Sequence, residues 1–528
     1  MTVPDRAGFG LAGRLTIAMA WCLAAAALFG QPAASPYLQA VSQLQKGDTA
    51  AAIALLEPVL RQSPNDLRAL TLMGMALAAA GRREEANQRF RQTLQIEPRF
   101  APALKNMALN EIAMGLAGDA TKHLEQLLEL TPQDPVAHLA LAEIHFAGKD
   151  FRKAVAHYQQ SGELFKKDPR DVLNLARAFV ELNEAERAAS TLGDLPQEAG
   201  AAAHFEAGIL LARISDYSGA ARRFELSRSG HPDPYAAGYN LALAYQKGQQ
   251  FAAAARTLEE LVSRGHQKAE LFNLLAQAYE KSGKTKEAYE ALRTATKIDP
   301  GDETNYLDLI ALCLDHNNYD LALEIAGIGL ARLPQSARLE IQRGVVWAMK
   351  GQFAEARKAF EEAVERAPGT SLPYVSLGLV LLQMNQIPEA IKILRRRARQ
   401  DDYLAQWFLG EALNRAGAAP GSAEENEAIE VLERSVKLNP QLAHSRVLLG
   451  KLLLRRGELD RAAGQLERAL QIEPEEVAAA YQLAQVYAKK GDSRRAREMF
   501  AKVSKAKAEE RDQFTSRGLQ QIVKEGAR

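Results

Sequence analysis

Residues 67–98 read LRALTLMGMALAAAGRREEANQRFRQTLQIEP, and the reading of this stretch decides the fold. Leu70, Met73, Gly74 and Leu77 fall at spacings of three and four, so the first half carries one apolar stripe at helical period. Ala86, Phe90, Leu94 and Ile96 form a second stripe in the second half. Between them stands Gly81, a residue that reaches the left-handed backbone region in which helices commonly end. Pro98 closes the stretch, and proline cannot continue a helix but starts the next segment well. The stretch therefore predicts a helix hairpin. Each of its helices would be about 13 residues long, a length at which an isolated helix is marginal in water, so the stability has to come from neighbours.

The neighbours are copies of the same stretch. Prolines recur at Pro64, Pro98 and Pro132, at Pro232, Pro300, Pro334 and Pro368, and at Pro440 and Pro474, with spacings of 34 or 68 inside each group. Alanines keep the same period at Ala52, Ala86, Ala120 and Ala154, at Ala220, Ala254, Ala288, Ala322, Ala356 and Ala390, and at Ala462 and Ala496. Glycines follow at Gly47, Gly81 and Gly115, and again at Gly283, Gly351, Gly457 and Gly491. A small residue held at one helical position marks where the second helix presses closest on the first, so enlarging it should force the two apart. One unit combines Phe272, Leu275-Ala276, Tyr279, Gly283, Ala288, Leu292, Ala295 and Pro300; others repeat Leu377-Gly378 with Ala390, and Leu449-Gly450 with Gly457, Ala462, Ala469 and Pro474. On these residues the chain resembles the tetratricopeptide repeat (TPR) family from about Pro36 to about Val503, in 13 or 14 units. The resemblance implies an all-α fold, a right-handed superhelical solenoid of stacked helix-turn-helix repeats.

Two departures from register suggest a division of the array into 35–196, 197–400 and 401–503. Pro132 to Pro232 spans 100 residues, two short of three periods, and the unit ending Gly193-Asp194-Leu195-Pro196 lacks the turn glycine. Pro368 to Pro440 spans 72, four more than two periods, and the excess shows as the loop-like stretch Ala416-Gly417-Ala418-Ala419-Pro420-Gly421-Ser422, an insertion near 416–426. After Val503, residues 504–528 are charged, with a sparse apolar stripe of Phe514, Leu519 and Ile522 that fits a polar capping helix and tail.

The first 34 residues differ from the rest. Arg6 and Arg14 precede the apolar run Leu15 to Phe29, and the small residues Gly30 to Ser35 follow, which is the order of a secretory signal. The run is shorter than the roughly 20 residues that span a bilayer, so a cleaved peptide is expected over an anchor, and the chain is expected to be exported to a periplasmic or extracellular setting. Membrane attachment would come only through an uncleaved leader. Cys22 leaves with the leader, and Cys313, the other cysteine, reads as a small buried filler in a helix.

With 66 basic against 65 acidic side chains, the chain lacks the electrostatic footprint of a nucleic-acid or anionic-membrane binder. Gly283-Lys284-Thr285 ends like a phosphate-binding loop, but Ala278 stands where the first glycine is needed and the stretch lies between two helices, so it reads as a hairpin turn. His138 and His145 share a helix face without a third ligand at suitable spacing and read as core or groove-edge residues. The cluster Arg395-Arg396-Arg397-Ala398-Arg399 reads as a solvated helix end that Glu424, Glu425 and Glu427 could neutralise. The Gly-x-Ser-x-Gly, His-Glu-x-x-His and Gly-x-Gly-x-x-Gly patterns are absent. No catalytic residue, metal or cofactor is expected, and the chain does not read as an enzyme.

Function must then come from shape, and stacked hairpins that rotate stepwise leave a concave groove suited to peptides or partner helices. The resemblance implies that first helices line it. By register the lining is Met75, Lys105, Asn106, Leu109, Ile112, Leu139, Glu143 and Phe146, and farther on Tyr239, Asn240, Leu243, Asn273, Gln277 and Glu280. The expected activity is a protein interaction scaffold that assists assembly of an envelope or secretion complex, with proteins or peptides as partners, and no nucleic acid or small-molecule substrate. The carboxylate clamp known in the family would need companions to Lys105 and Asn106 that this chain lacks. One alternative is an enzyme, such as a glycosyltransferase, with an unrecognised catalytic module, yet no stretch of about 80 residues escapes the repeat and a domain needs more. The other is an RNA-reading helical-repeat protein, whose units would be strongly basic.

Overall fold

A computed structural model describes residues 35–398 and 402–505. The expected leader and the stripe Phe514, Leu519 and Ile522 lie outside the described residues. Among those residues the chain forms twenty-eight α-helices and no strand. The helices follow one another as pairs joined by short turns, fourteen pairs in all, with one 3-10 turn at Gly162–Lys167. The chain divides into two compact units, 1–264 and 265–528. In the first, the described pairs run from Pro36–Gln45 with Thr49–Gln62 to Pro234–Lys247 with Phe251–Ser263; in the second, from Ala269–Lys281 with Thr285–Ile298 to Val477–Lys489 with Ser493–Lys505. The expected divisions of the array at 196 and 400 fall inside the first and the second unit respectively.

Every pair turns through a residue with positive φ. Gly47, Gly81, Gly115, Gly283, Gly351, Gly457 and Gly491 do so with φ between 73° and 81°, as their period predicts. Where the glycine is missing, Lys149, Asn183, Ser215, Gln249, Asn317 and Asn385 take the same conformation with φ between 55° and 64°. Three of these are asparagine, the side chain that tolerates this region best after glycine. The turn is thus dictated by the pairing of the helices and not by the residue that makes it.

Close contact within a pair explains the small residues. Ala52, Ala86, Ala120, Ala154, Ala220, Ala254, Ala288, Ala322, Ala356, Ala390 and Ala462 have no exposed surface. The first helices have their own tight point: a Cβ placed on Gly344 would meet Phe360 Cε1 at 2.5 Å, and one on Gly74 would meet Phe90 Cε1 at the same distance. Gly208 stands against Phe224 likewise, and Gly378, Gly410 and Gly450 against Leu394, Leu432 and Leu466. Each glycine makes room for a large side chain of the second helix, which is then fully buried.

Both departures from register have a structural form. Phe151–Gln160 is 10 residues and Ala185–Gly193 only 9, against 14 for Arg83–Ile96. The positive-φ position moves from Asn183 to Ser215, which places the two missing residues within that stretch. In the second unit the extra residues lie in the exposed turn after Arg415, where Gly417 and Gly421 both have positive φ. Ser422 then caps Ala423–Leu438 by accepting the Glu425 N–H, and Glu425 Oε2 accepts the Gly421 N–H at 2.7 Å.

Candidate protein-binding surface

The residues expected to line a groove all lie on first helices: Met75 on Leu67–Ala79; Lys105, Asn106, Leu109 and Ile112 on Ala101–Ala113; Leu139, Glu143 and Phe146 on Pro135–Ala147. Tyr239, Asn240 and Leu243 lie on Pro234–Lys247, and Asn273, Gln277 and Glu280 on Ala269–Lys281 in the second unit. Their exposure separates them. Met75 and Ile112 are buried, Met75 in the cluster with Met73, Leu77 and Phe90 and Ile112 in that with Leu104, Leu124 and Leu141. They were expected to line the groove and instead face neighbouring helices, because an apolar side chain next to a stacked pair buries more area there than in a groove. Leu109, Leu139 and Phe146 are half-buried, each resting on a core cluster with one side open. Phe146 also meets the edge of Phe151, with ring centroids 5.8 Å apart. Tyr239 stacks on Tyr235 at 5.6 Å, and Leu243 is half-buried.

The polar members are already engaged. Lys105 Nζ donates to Asp134 Oδ2 at 2.8 Å, while Asp134 Oδ1 caps Pro135–Ala147 by accepting the Val136 and Ala137 N–H groups. Two repeats earlier, Tyr37 makes the same tie to Asp66 at 2.7 Å, and this bond raises the tyrosine pKa. Lys105 thus joins consecutive first helices and does not stand as a free cation. Asn106 Nδ2 donates to the Pro102 carbonyl and Asn240 Nδ2 to that of Ala236, each to its own helix one turn back. In the second unit Asn273 Nδ2 donates to Asn305 Oδ1 at 2.8 Å, and Glu280 Oε1 lies 2.9 Å from His316 Nε2. Gln277 is exposed.

Elsewhere the structure adds what spacing did not reveal. His157, on the second helix Phe151–Gln160, joins His138 and His145: its ring stacks on His145 at 5.4 Å and its Nδ1 lies 3.0 Å from His138 Nδ1. His138 Nε2 lies 2.9 Å from the Pro132 carbonyl, so it carries the proton there, and the shared Nδ1 contact needs His157 as the donor. Burial, with His138, His145 and Lys153 nearby, pushes the His157 pKa down to about 4. Burial, followed by Lys153, lowers that of His145. The arginine cluster is less solvated than its sequence suggests. Arg395 pairs with Glu427, Arg396 lies over the Tyr374 ring, and Arg397 is buried, donating to Ser371 Oγ. Glu425 is buried too and pairs with Arg455. Cys313 is buried as expected, and burial pushes its thiol pKa up to about 11. Among the described residues, no helix is long and apolar enough to cross a membrane.

Models of the tetratricopeptide repeat match residues 43–109 and 453–515, and residues 239–303, 312–370, 375–443 and 426–477. A YpiA-like tetratricopeptide-repeat model matches residues 113–164. The chain belongs to the tetratricopeptide repeat family. Among curated proteins it is similar to a cell division cycle protein 27 homolog of Caenorhabditis elegans, 39% identical over 67 residues, or 13% of this chain. That match spans only 8% of the relative's length. Among solved structures, yeast Tom70 is 18% identical with a TM-score of 0.38, over 81% of this chain and 96% of that one. The anaphase-promoting complex hetero-tetramer Cut9-Hcn1 is 15% identical with a TM-score of 0.37, over 96% and 99%. YrrB, described as a TPR protein with an unusual peptide-binding site, is 20% identical with a TM-score of 0.26, over 44% and 99%.

Proposed function

We propose that this TPR protein is an exported, non-enzymatic scaffold. It holds peptide or helical segments of partner proteins against the first helices of its 35–264 portion and assists assembly of an envelope or secretion complex. The observation that carries the reading is the row of half-buried apolar side chains on two consecutive first helices, Leu109 on Ala101–Ala113 and Leu139 and Phe146 on Pro135–Ala147. Each is held on one side by its own core cluster, so its rotamer is fixed before a partner arrives, and binding costs little further ordering. Asn106 and Glu143 flank them and give a polar rim, the composition of a helix-in-groove or extended-peptide site. Export is supported by Arg6 and Arg14 ahead of the Leu15–Phe29 run.

A photo-crosslinking side chain placed at Leu109 or Phe146 in the native envelope should capture one protein that the same probe at Lys122, on an outer second helix, does not. Leu109→Glu together with Phe146→Glu should abolish recovery of that protein. Undiminished recovery by the double variant would remove this surface from the proposal. A hydrolase or transferase activity in the purified chain would remove the scaffold reading itself.

A further inference from the structure

We propose that His138, His145 and His157 form a proton-operated latch on the helix pair Pro135–Ala147 and Phe151–Gln160. The latch holds the pair closed at neutral pH and releases it, with the apolar row of Leu139 and Phe146, as the pH falls. Its consequence for a partner rests on the binding row proposed above; the latch itself does not. His138 and His145 lie on the first helix, and His157 reaches both from the second. The His157 ring centroid is 5.3 Å from that of His138 and 5.4 Å from that of His145, on which it stacks with 7° between the planes. Three imidazoles thus meet where one pair of helices closes, and Phe146 meets Phe151 across the same pair at 5.8 Å.

The number of protons the contact can hold makes it a latch. His138 Nε2 donates to the Pro132 carbonyl at 2.9 Å, and the Nδ1 atoms of His138 and His157 stand 3.0 Å apart, a separation that holds one proton between them. With that proton on His157 both rings are neutral and bonded. A proton added at His157 Nε2 leaves the bond in place but puts a charge beside the stacked His145 ring. A second charge, on His138, would bring N–H against N–H and break the contact that joins the two helices.

The surroundings do little to hold such charge. Burial acts first on His157, then His138, His145 and Lys153, and all four oppose its protonation. On His145, burial and Lys153 oppose it, while Asp150, just before Phe151–Gln160, and Glu125, on Ala117–Leu130, favour it without prevailing. Charged groups on the other elements packed here are engaged elsewhere. Lys166 of the 3-10 turn pairs with Glu163 and Asp194; on Pro169–Glu181, Arg170 pairs with Asp168, Arg177 with Glu206 and Glu181 with Arg213. Glu143 and Asp171 are not free either. The His157 pKa is pushed down to about 4 in the closed pair, whereas a solvated imidazole titrates near 6.5, so the closed pair carries fewer protons than the open one between these values. Opening is therefore favoured about thirtyfold more at pH 5 than at pH 7.5, and His145 adds to this in the same direction.

Hydrogen–deuterium exchange of the full chain, corrected for the intrinsic effect of pH, reads this opening without a partner. Segments within 135–160 should exchange about thirtyfold faster at pH 5 than at pH 7.5, while 67–96, an earlier pair with no histidine, should not change. Circular dichroism should report the same helix content at both values. His157→Gln should remove the acceleration, and His316→Gln, in the second unit, should keep it. Capture by a photo-crosslinker at Phe146 should fall by at least about tenfold at pH 5 in the native chain and hold in His157→Gln. Equal exchange of 135–160 at the two pH values in the native chain would overturn the proposal. So would acceleration kept in His157→Gln, or capture unchanged while the pair opens. Acceleration that depends on His157 with no capture at either pH would confirm the latch and refute the binding row instead.

Discussion

Gly344 gives the sharpest test of how the hairpins hold together. It sits in the middle of Ala337–Met349, where an exposed glycine would be improved by alanine by about 0.5–1 kcal/mol through helix propensity alone. Here the new Cβ would lie 2.5, 2.7 and 2.9 Å from three atoms of the Phe360 ring, where carbon contacts settle at about 3.5–4.0 Å. The ring must retreat by roughly 1 Å, and Phe360 is 1% exposed, so its surroundings must move as well. Overpacking of this kind costs about 1–3 kcal/mol, which more than offsets the propensity gain at the middle of that range. Gly327, in the helix Tyr319–Arg332 of the same unit, meets nothing within 4 Å and serves as the matched control. Urea unfolding followed by circular dichroism and by the emission of Trp347, which is on the same helix as Gly344, reads both effects. Gly344→Ala should lower stability and Gly327→Ala raise it, with the two separated by about 1–3 kcal/mol. In a Phe360→Ala background the sign for Gly344→Ala should reverse, because the ring that repels the methyl is gone. Equal stabilisation by the two alanines in the native background would refute the close-contact argument.

The His138, His145 and His157 cluster predicts a pH dependence with a definite sign. His157 stays neutral in the fold down to about pH 4, whereas the unfolded chain takes up its proton near 6.5, so stability should fall as pH drops from 6.5 toward 4 and be flat above. His157→Gln should flatten that slope in urea midpoints measured across the window. Cys313, with its thiol pKa raised by burial to about 11, should not react with a disulfide reagent at pH 8 in the native chain and should react at once in urea. Gln249 holds φ at 59° without the freedom of glycine, so Gln249→Gly should raise the unfolding free energy measured in urea by roughly 0.5 kcal/mol, since relief of about 1 kcal/mol of strain exceeds the added unfolded-chain entropy.

The hairpin, its turn and its buried alanine were legible because each recurs many times in the chain, and repetition averages away the ambiguity of any one copy. The turn at Lys149 or Gln249 was not, since neither residue signals a left-handed backbone; only its register, 34 residues from a glycine turn, could have marked it. Histidine spacing found His138 and His145 but missed His157, because contacts between the two helices of a pair follow packing and not a helical period. Burial of Leu109 against that of Ile112, three residues apart on one helix, depends on the angle at which the next pair arrives, which a sequence period does not encode.

What the repeat conserves across its copies is volume at a contact, and the residue types vary around it. Gly344 faces Phe360 and Gly378 faces Leu394, and in both pairs the small residue is on the first helix. At the same register Ile310 occupies the first helix, and there Ala326 stands sixteen residues on, where the others have Phe360 or Leu394; both Ile310 and Ala326 are fully buried. The large and small partners have exchanged helices while the space between them is kept filled. A side chain lost from one helix without gain on the other would leave a cavity, and one gained without loss would force the pair apart, so each position is constrained only through its partner. That coupling explains how units with so few residues in common stack as equivalents, and it places the freedom to diversify on the half-exposed first-helix positions, such as Leu109, Phe146 and Tyr239, away from the tight point of the pair.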